Sequence, residues 1–146
     1  MKGSYCIVFE LQDNARTRVG AKGTHEFPGG VYVYVGSALS GLEQRVARHL
    51  KATKKRRWHI DYLIQKGEVV STIMVPSESR RTECAIASAL LRSPGAQIVM
   101  RRFGSSDCDC PTHLVYFGPE DPGWVTETVT RAVAMLSCFY PEKTGS

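Results

Sequence analysis

Tyr5, Tyr34, Arg45, His49 and Glu83 are the residues of this chain whose types and spacing fit one shared chemistry. Cleaving a phosphodiester needs an activated water, charge stabilisation on the phosphoryl oxygens and help for the leaving oxygen. A divalent cation on a carboxylate, a guanidinium, and phenols beside an imidazole supply these. Each member also has a plainer role. Strand tyrosines pack their rings, Arg45 fits a surface cation, and a histidine more often caps or packs than catalyses. Glu83 departs furthest from the plain role. Ile86, Ala87 and Leu90 follow it at helical spacing, and a carboxylate at the head of an apolar stripe needs a cation, a metal or strong hydrogen bonds. Its plain role, complementing a helix macrodipole, is worth ~0.3–1 kcal/mol.

The elements that must position these residues are legible from periodicity. Over residues 30–38, Val31, Val33 and Val35 alternate with Tyr32 and Tyr34, so the tyrosines share one face of a strand. Residues 40–50 then take helical spacing, with Leu42, Val46 and Leu50 as the apolar stripe and Arg45 and His49 one turn apart beside it. Tyr5 belongs to a first strand over 3–11. Turn residues between 12 and 30 enclose two short strands, 16–19 and 25–27, read as an antiparallel excursion. A short helix is expected over 58–64, a strand over 68–75, and a helix to about residue 91 capped by Ser77 or Ser79. Strands at 98–103 and 113–117 and a helix over 124–139 complete the order. The fold class is α/β in the α+β sense: a small mixed, mainly antiparallel sheet flanked by helices.

At 146 residues the chain suits one domain, 1–146, with its core motifs in 3–91 and a C-terminal extension over 92–146. Hydrophobic content of 42% and charged content of 23% are those of an ordinary soluble domain. No apolar run approaches the ~20 residues of a membrane-spanning helix. The N-terminus enters a strand at once, without signal or transit character, and the expected compartment is the cytoplasm. Five cysteines form no even framework, so reduced thiols are expected. The net charge of +5 permits an anionic partner. Arg45, Arg48, Lys51, Lys54, Lys55, Arg56 and Arg57 concentrate it after the strand-helix unit. Arg48, Lys51 and Lys54–Arg57 are the expected phosphate-backbone contacts. A solvated helix end is the alternative.

Cys108, Cys110 and His113 form a second constellation. Together with His59 or Cys84 they would make a tetrahedral Zn²⁺ site. The C-x-C spacing is unusual for zinc, and a tight Ser/Asp-rich turn with packed thiols competes with it.

In order and spacing these residues resemble the GIY-YIG nuclease superfamily. Gly3-Ser4-Tyr5 stands at the GIY position and Tyr34-Val35-Gly36 at the YIG position. Leu42-x-x-Arg45-x-x-x-His49 is similar to the family's helix motif, and Glu83 occupies the position of its metal-binding glutamate. The whole chain, including 57–62 and 104–114, resembles the DUF123 or Uri-type branch. The resemblance implies an endonuclease acting on DNA, with RNA left open. Glu83 would hold one Mg²⁺ or Mn²⁺, Tyr5 would act as general base toward water, and His49 would polarise or accept from Tyr5. Tyr34 would orient water or phosphate, and Arg45 would clamp phosphate oxygens. Three features depart from the family pattern. The first and second motif strands are far apart, Ser37 replaces a frequent lysine, and Ser93-Pro94-Gly95 stands where an asparagine is usual. His113 or Asp107 are the candidates to complete the metal site on that side. Tyr32 matches no motif position and is assigned to packing or a secondary DNA contact. Two other classes compete: a nucleic-acid-binding module without turnover, and a zinc-stabilised interaction domain.

Overall fold

The chain forms, in order, β1 (Gly3–Leu11), β2 (Ala15–Arg18), β3 (Thr24–Phe27), β4 (Gly30–Ala38), α1 (Leu42–Leu50), α2 (His59–Ile64), β5 (Glu68–Pro76), α3 (Arg81–Leu91), β6 (Leu114–Tyr116) and α4 (Pro122–Phe139). These come from a computed structural model that describes residues 2–19, 23–38, 40–51, 59–79, 81–105 and 108–139, without the side chains of 59 and 137–139. β1 pairs antiparallel with β4 and β5, and β6 adds to β4, which gives one sheet of order β5-β1-β4-β6. β2 and β3 make a separate antiparallel ribbon, the excursion expected between the motif strands.

Strand alternation explains why two helical layers are needed. Tyr5, Ile7, Phe9 and Leu11 of β1 and Tyr32 of β4 point to one face. There they pack with Leu42 and Val46 of α1, Ile60, Leu63 and Ile64 of α2, and Phe27 of β3. Cys6, Val8, Val31, Val33 and Val35 point to the other, against Ile86, Ala87 and Leu90 of α3 and Val125 and Val129 of α4. Both faces of the central strands β1 and β4 are therefore dry, while the edge strand β5 stays partly exposed, and each large apolar side chain so buried contributes ~1.5–3 kcal/mol. The expected α+β class holds. Tyr32 is fully buried, stacks on Phe9 with ring centres 5.3 Å apart and donates its hydroxyl to the Pro28 carbonyl. Its role is packing, and nucleic acid has no access to it.

Two elements differ from expectation in ways that bear on the site. The inward stripe of α1 is Leu42, Val46 and His49, while Leu50 is 53% exposed. At about 100° per residue His49 returns to within about 20° of Leu42, whereas Leu50 lands about 80° away. An imidazole is thereby placed in the core and must be satisfied there. The strand expected at 98–103 does not form. Only Gln97 bridges to Tyr116, after which Arg102 (φ 63°) and Gly104 (φ 71°) take left-handed conformations that a strand does not allow. The segment instead buries Met100 and Phe103 and is pinned by His113 N–H to the Phe103 carbonyl at 2.8 Å.

α3 begins as its serines suggest. Ser79 Oγ accepts from the Arg81 N–H at 3.1 Å, and Ser77 Oγ accepts from Ser79 N–H at 3.1 Å. Among the described residues no helix is long and apolar enough to cross a membrane.

Candidate functional site

The end of β4 is where the candidate residues meet. Tyr5 on β1 pairs with Gly36 on β4, and a side chain at Gly36 would run into the Tyr5 ring and hydroxyl. Only glycine leaves the phenol room to cross its neighbour. The Tyr5 hydroxyl lies 3.0 Å from Nε2 of His49. The Tyr34 ring, on the same face, is centred 6.4 Å from that of Tyr5 and 6.3 Å from that of His49. Arg45, one turn earlier on α1, donates to the Ser37 carbonyl at 3.4 Å and hydrogen-bonds toward Tyr5.

Ser37 joins this group to the other side of the sheet. Its hydroxyl donates to Glu83 Oε2 at 2.7 Å. The remaining carboxylate oxygen, Oε1, lies at ion-pair distance, 2.9 Å, from Nδ1 of His113, a buried nitrogen that makes no well-aligned hydrogen bond among the described residues. His113 sits just before β6, and its carbonyl accepts from the Val35 N–H at 2.9 Å. Glu83, partly exposed, is thus gripped by two neutral-to-cationic donors. Ser37 supplies its contact as a neutral hydroxyl. Of the two residues considered for completing the metal site, His113 reaches Glu83, and Asp107 lies outside the described residues.

Asp61 is the residue beside the candidate site that composition and spacing did not single out. Fully buried on α2, it takes both Arg48 nitrogens, Nη1 to Oδ1 at 3.2 Å and Nη2 to Oδ2 at 3.1 Å, and faces Nδ1 of His49 at 3.7 Å. A signal existed: Ile60, Asp61 and Ile64 share one helical face, and an acid between isoleucines requires a buried partner. Arg48, expected on a phosphate, turns its guanidinium to Asp61. Lys51 is exposed, and Lys54, Lys55, Arg56 and Arg57 lie outside the described residues.

Burial sets the phenols. It lifts Tyr5 from 10 to about 12 against the opposing Arg45 guanidinium. It also lifts Tyr34, with the Tyr5 and Glu83 charges acting in the same direction. Both are neutral at pH 7. The folded state holds the Tyr5 proton more tightly than the unfolded chain does. This contribution to stability is complete below pH 10 and is lost as pH rises toward about 12, a change of ~3 kcal/mol. Urea unfolding between pH 9 and 12 is therefore expected to show a steeper loss of stability in the wild type than in Tyr5→Phe; equal slopes would show that the phenol is not held dry.

Behind Glu83, Cys84 of α3 and Cys108, Cys110 and His113 of the loop before β6 gather with all donor atoms within 4.8 Å of one another, a group that could hold a metal ion. Burial raises the Cys84 thiol to about 12, and the Cys110 and Cys108 thiols add to that. Burial also opposes ionisation of Cys108, yet bonds from the Cys110 backbone and the neighbouring thiols bring its thiol below the ordinary value. Of the two candidates for fourth donor, Cys84 joins the group, and the His59 side chain lies outside the described residues.

The fold and site define a mixed α+β domain in which two phenols, an imidazole and a carboxylate gather at the end of β4. The chain belongs to the DUF123 family, described as a domain of unknown function, which it matches over residues 4–135. Comparisons with curated proteins and with solved structures gave no significant match.

Proposed function

We propose that this protein is a metal-dependent endonuclease of the GIY-YIG class that hydrolyses phosphodiester bonds in DNA. The observation that carries the reading is the meeting of Tyr5, Tyr34, Arg45, His49 and Glu83 around Ser37, five residues from four separate elements. Glu83 fits a hard divalent ion. Each of its oxygens has one protein partner, which leaves a lone pair apiece, and a single carboxylate suits Mg²⁺ or Mn²⁺ that retains most of its water shell. Such an ion supplies Lewis-acid stabilisation of charge at the scissile phosphate.

The protein's own residues account for the proton. In the tautomer with its hydrogen on Nδ1, on the side of the Asp61 carboxylate 3.7 Å away, His49 presents Nε2 as an acceptor to Tyr5. As water forms its bond to phosphorus and the ester oxygen departs, Tyr5 takes the water proton while passing its own to His49 Nε2. This route spares the phenol from ionising in advance, which a value of about 12 makes unfavourable at pH 7. Arg45 neutralises charge on the phosphoryl oxygens, and Tyr34 orients the attacked group.

The test is a panel of duplex, single-stranded, flap and junction DNAs, with RNA counterparts, incubated with folded protein in Mg²⁺, Mn²⁺ or EDTA. Cleavage of DNA that EDTA abolishes is the expected result. Binding without cleavage on every substrate would establish the non-catalytic module instead.

A further inference from the structure

We infer that Cys84, Cys108, Cys110 and His113 bind one Zn²⁺, and that His113, ligating it through Nε2, holds the Glu83 carboxylate in place through Nδ1. This site is distinct from the hard-cation site on Glu83 and does not depend on the nuclease reading.

Donor chemistry and geometry carry the inference. Three sulfurs and one imidazole nitrogen are soft ligands that favour zinc and reject Mg²⁺. A tetrahedral ion with Zn–S ~2.3 Å and Zn–N ~2.0 Å sets its ligands ~3.8 Å apart for S···S and ~3.6 Å for S···N. Cys108 Sγ and His113 Nε2 already stand 3.5 Å apart, and no pair in the group exceeds 4.8 Å, so closing onto an ion needs shifts of ~1 Å at most. The cysteines are free thiols.

The loop is built to hold these donors. The left-handed Arg102 gives its backbone N–H to the Pro111 carbonyl at 2.6 Å and its guanidinium to the Cys110 carbonyl at 2.9 Å. Cys108 N–H bonds the Ser105 carbonyl at 3.3 Å.

His113 is the hinge of the argument because its two nitrogens face different partners. Nε2 points into the thiol group, and Nδ1 lies 2.9 Å from Glu83 Oε1. A ligating histidine usually donates its second ring N–H to a carboxylate, which fixes the tautomer and the ring. Here that carboxylate is the residue proposed for the hard cation. Glu83 and Cys84 are neighbours on α3, so the ion would tie the helix start to the loop at the point where Glu83 must stay put. Glu83 is in this sense the second layer of the zinc site, and the zinc site positions Glu83.

The experiment uses the full chain, purified under reducing conditions without chelator. Elemental analysis is expected to give one zinc per chain. Replacement by Co²⁺ should produce the intense visible bands of a tetrahedral ion with a thiolate-to-cobalt charge-transfer band in the near ultraviolet. Cys110→Ser should lose the metal and Cys6→Ala, outside the group, should keep it. Glu83→Ala should weaken Zn²⁺ binding ~10–100-fold in competition with a chromophoric chelator, while Ser37→Ala, which touches Glu83 and not His113, should leave it unchanged.

Reduced, folded wild type that takes up no Zn²⁺, or cobalt protein with the weak spectrum of an octahedral ion, overturns the site. These two measurements need no variant to fold. Equal zinc affinity in Glu83→Ala and wild type overturns the coupling. A zinc-loaded protein that cleaves no nucleic acid contradicts only the nuclease reading, and a zinc-free active one contradicts only this inference.

Discussion

Glu83→Gln is expected to lower DNA cleavage by ~10²–10³-fold, the loss usual when one group that stabilises transition-state charge is removed, while DNA binding is retained. The substitution preserves volume, and the side-chain carbonyl still accepts from Ser37. What disappears is the negative charge that faces His113 and that is proposed to attract a divalent cation. The loss should therefore appear first as a higher Mg²⁺ requirement in single-turnover cleavage, and only partly recover at saturating metal. Unchanged cleavage at low Mg²⁺ would place the hard cation on another residue. Binding is expected to hold or tighten, since one anion is removed from the surface proposed to face phosphates.

The second large effect is on stability. Asp61→Ala is expected to destabilise the fold by ~3–5 kcal/mol, because it removes one partner of a buried pair. The carboxylate is fully buried, and its oxygens hold Arg48 at 3.2 and 3.1 Å and face His49 at 3.7 Å. Arg48, 21% exposed at the side chain, can partly reach water, which favours the lower end of that range. Arg48→Met removes the guanidinium from a dry carboxylate that still faces His49, and is expected to cost a comparable amount. Urea unfolding of the two single variants and the double variant would separate the pair from its members. A loss below ~1 kcal/mol for Asp61→Ala, the level of an exposed ion pair, would mean that Asp61 is hydrated in solution. On the proposed nuclease reading Asp61→Ala should also reduce cleavage, since it removes the carboxylate that faces Nδ1 of His49.

Much of the architecture was legible because it rests on short periods. Alternation of valine and tyrosine over 31–35 assigned one face to each helical layer, and the serines before α3 marked its start. The 98–103 strand was misread because Ile98, Val99, Met100 and Phe103 are as apolar as strand residues. The left-handed backbone at Arg102, which a sequence does not announce at an arginine, turns the chain instead. The α1 stripe was misassigned by one residue, since leucine looks like the core choice and histidine does not. The core accepts His49 only because Tyr5 and Asp61, brought in from β1 and α2, offer it hydrogen-bonding and charged partners.

By itself, then, the sequence determined the alternating strands and the helix that follows β4, which depend on residue type and local spacing, while it offered Tyr5, Tyr34, Arg45, His49 and Glu83 as a candidate set through their shared chemistry and their order along the chain. Tertiary structure alone decided that Ser37 joins Arg45 to Glu83, that Arg48 and His49 share Asp61, and that Cys84 meets Cys108, Cys110 and His113. These contacts link positions far apart in the chain, and they exist only once sheet register and helix packing have set where each side chain ends. A buried polar group is satisfied by whatever the fold carries to it, and no local pattern encodes that.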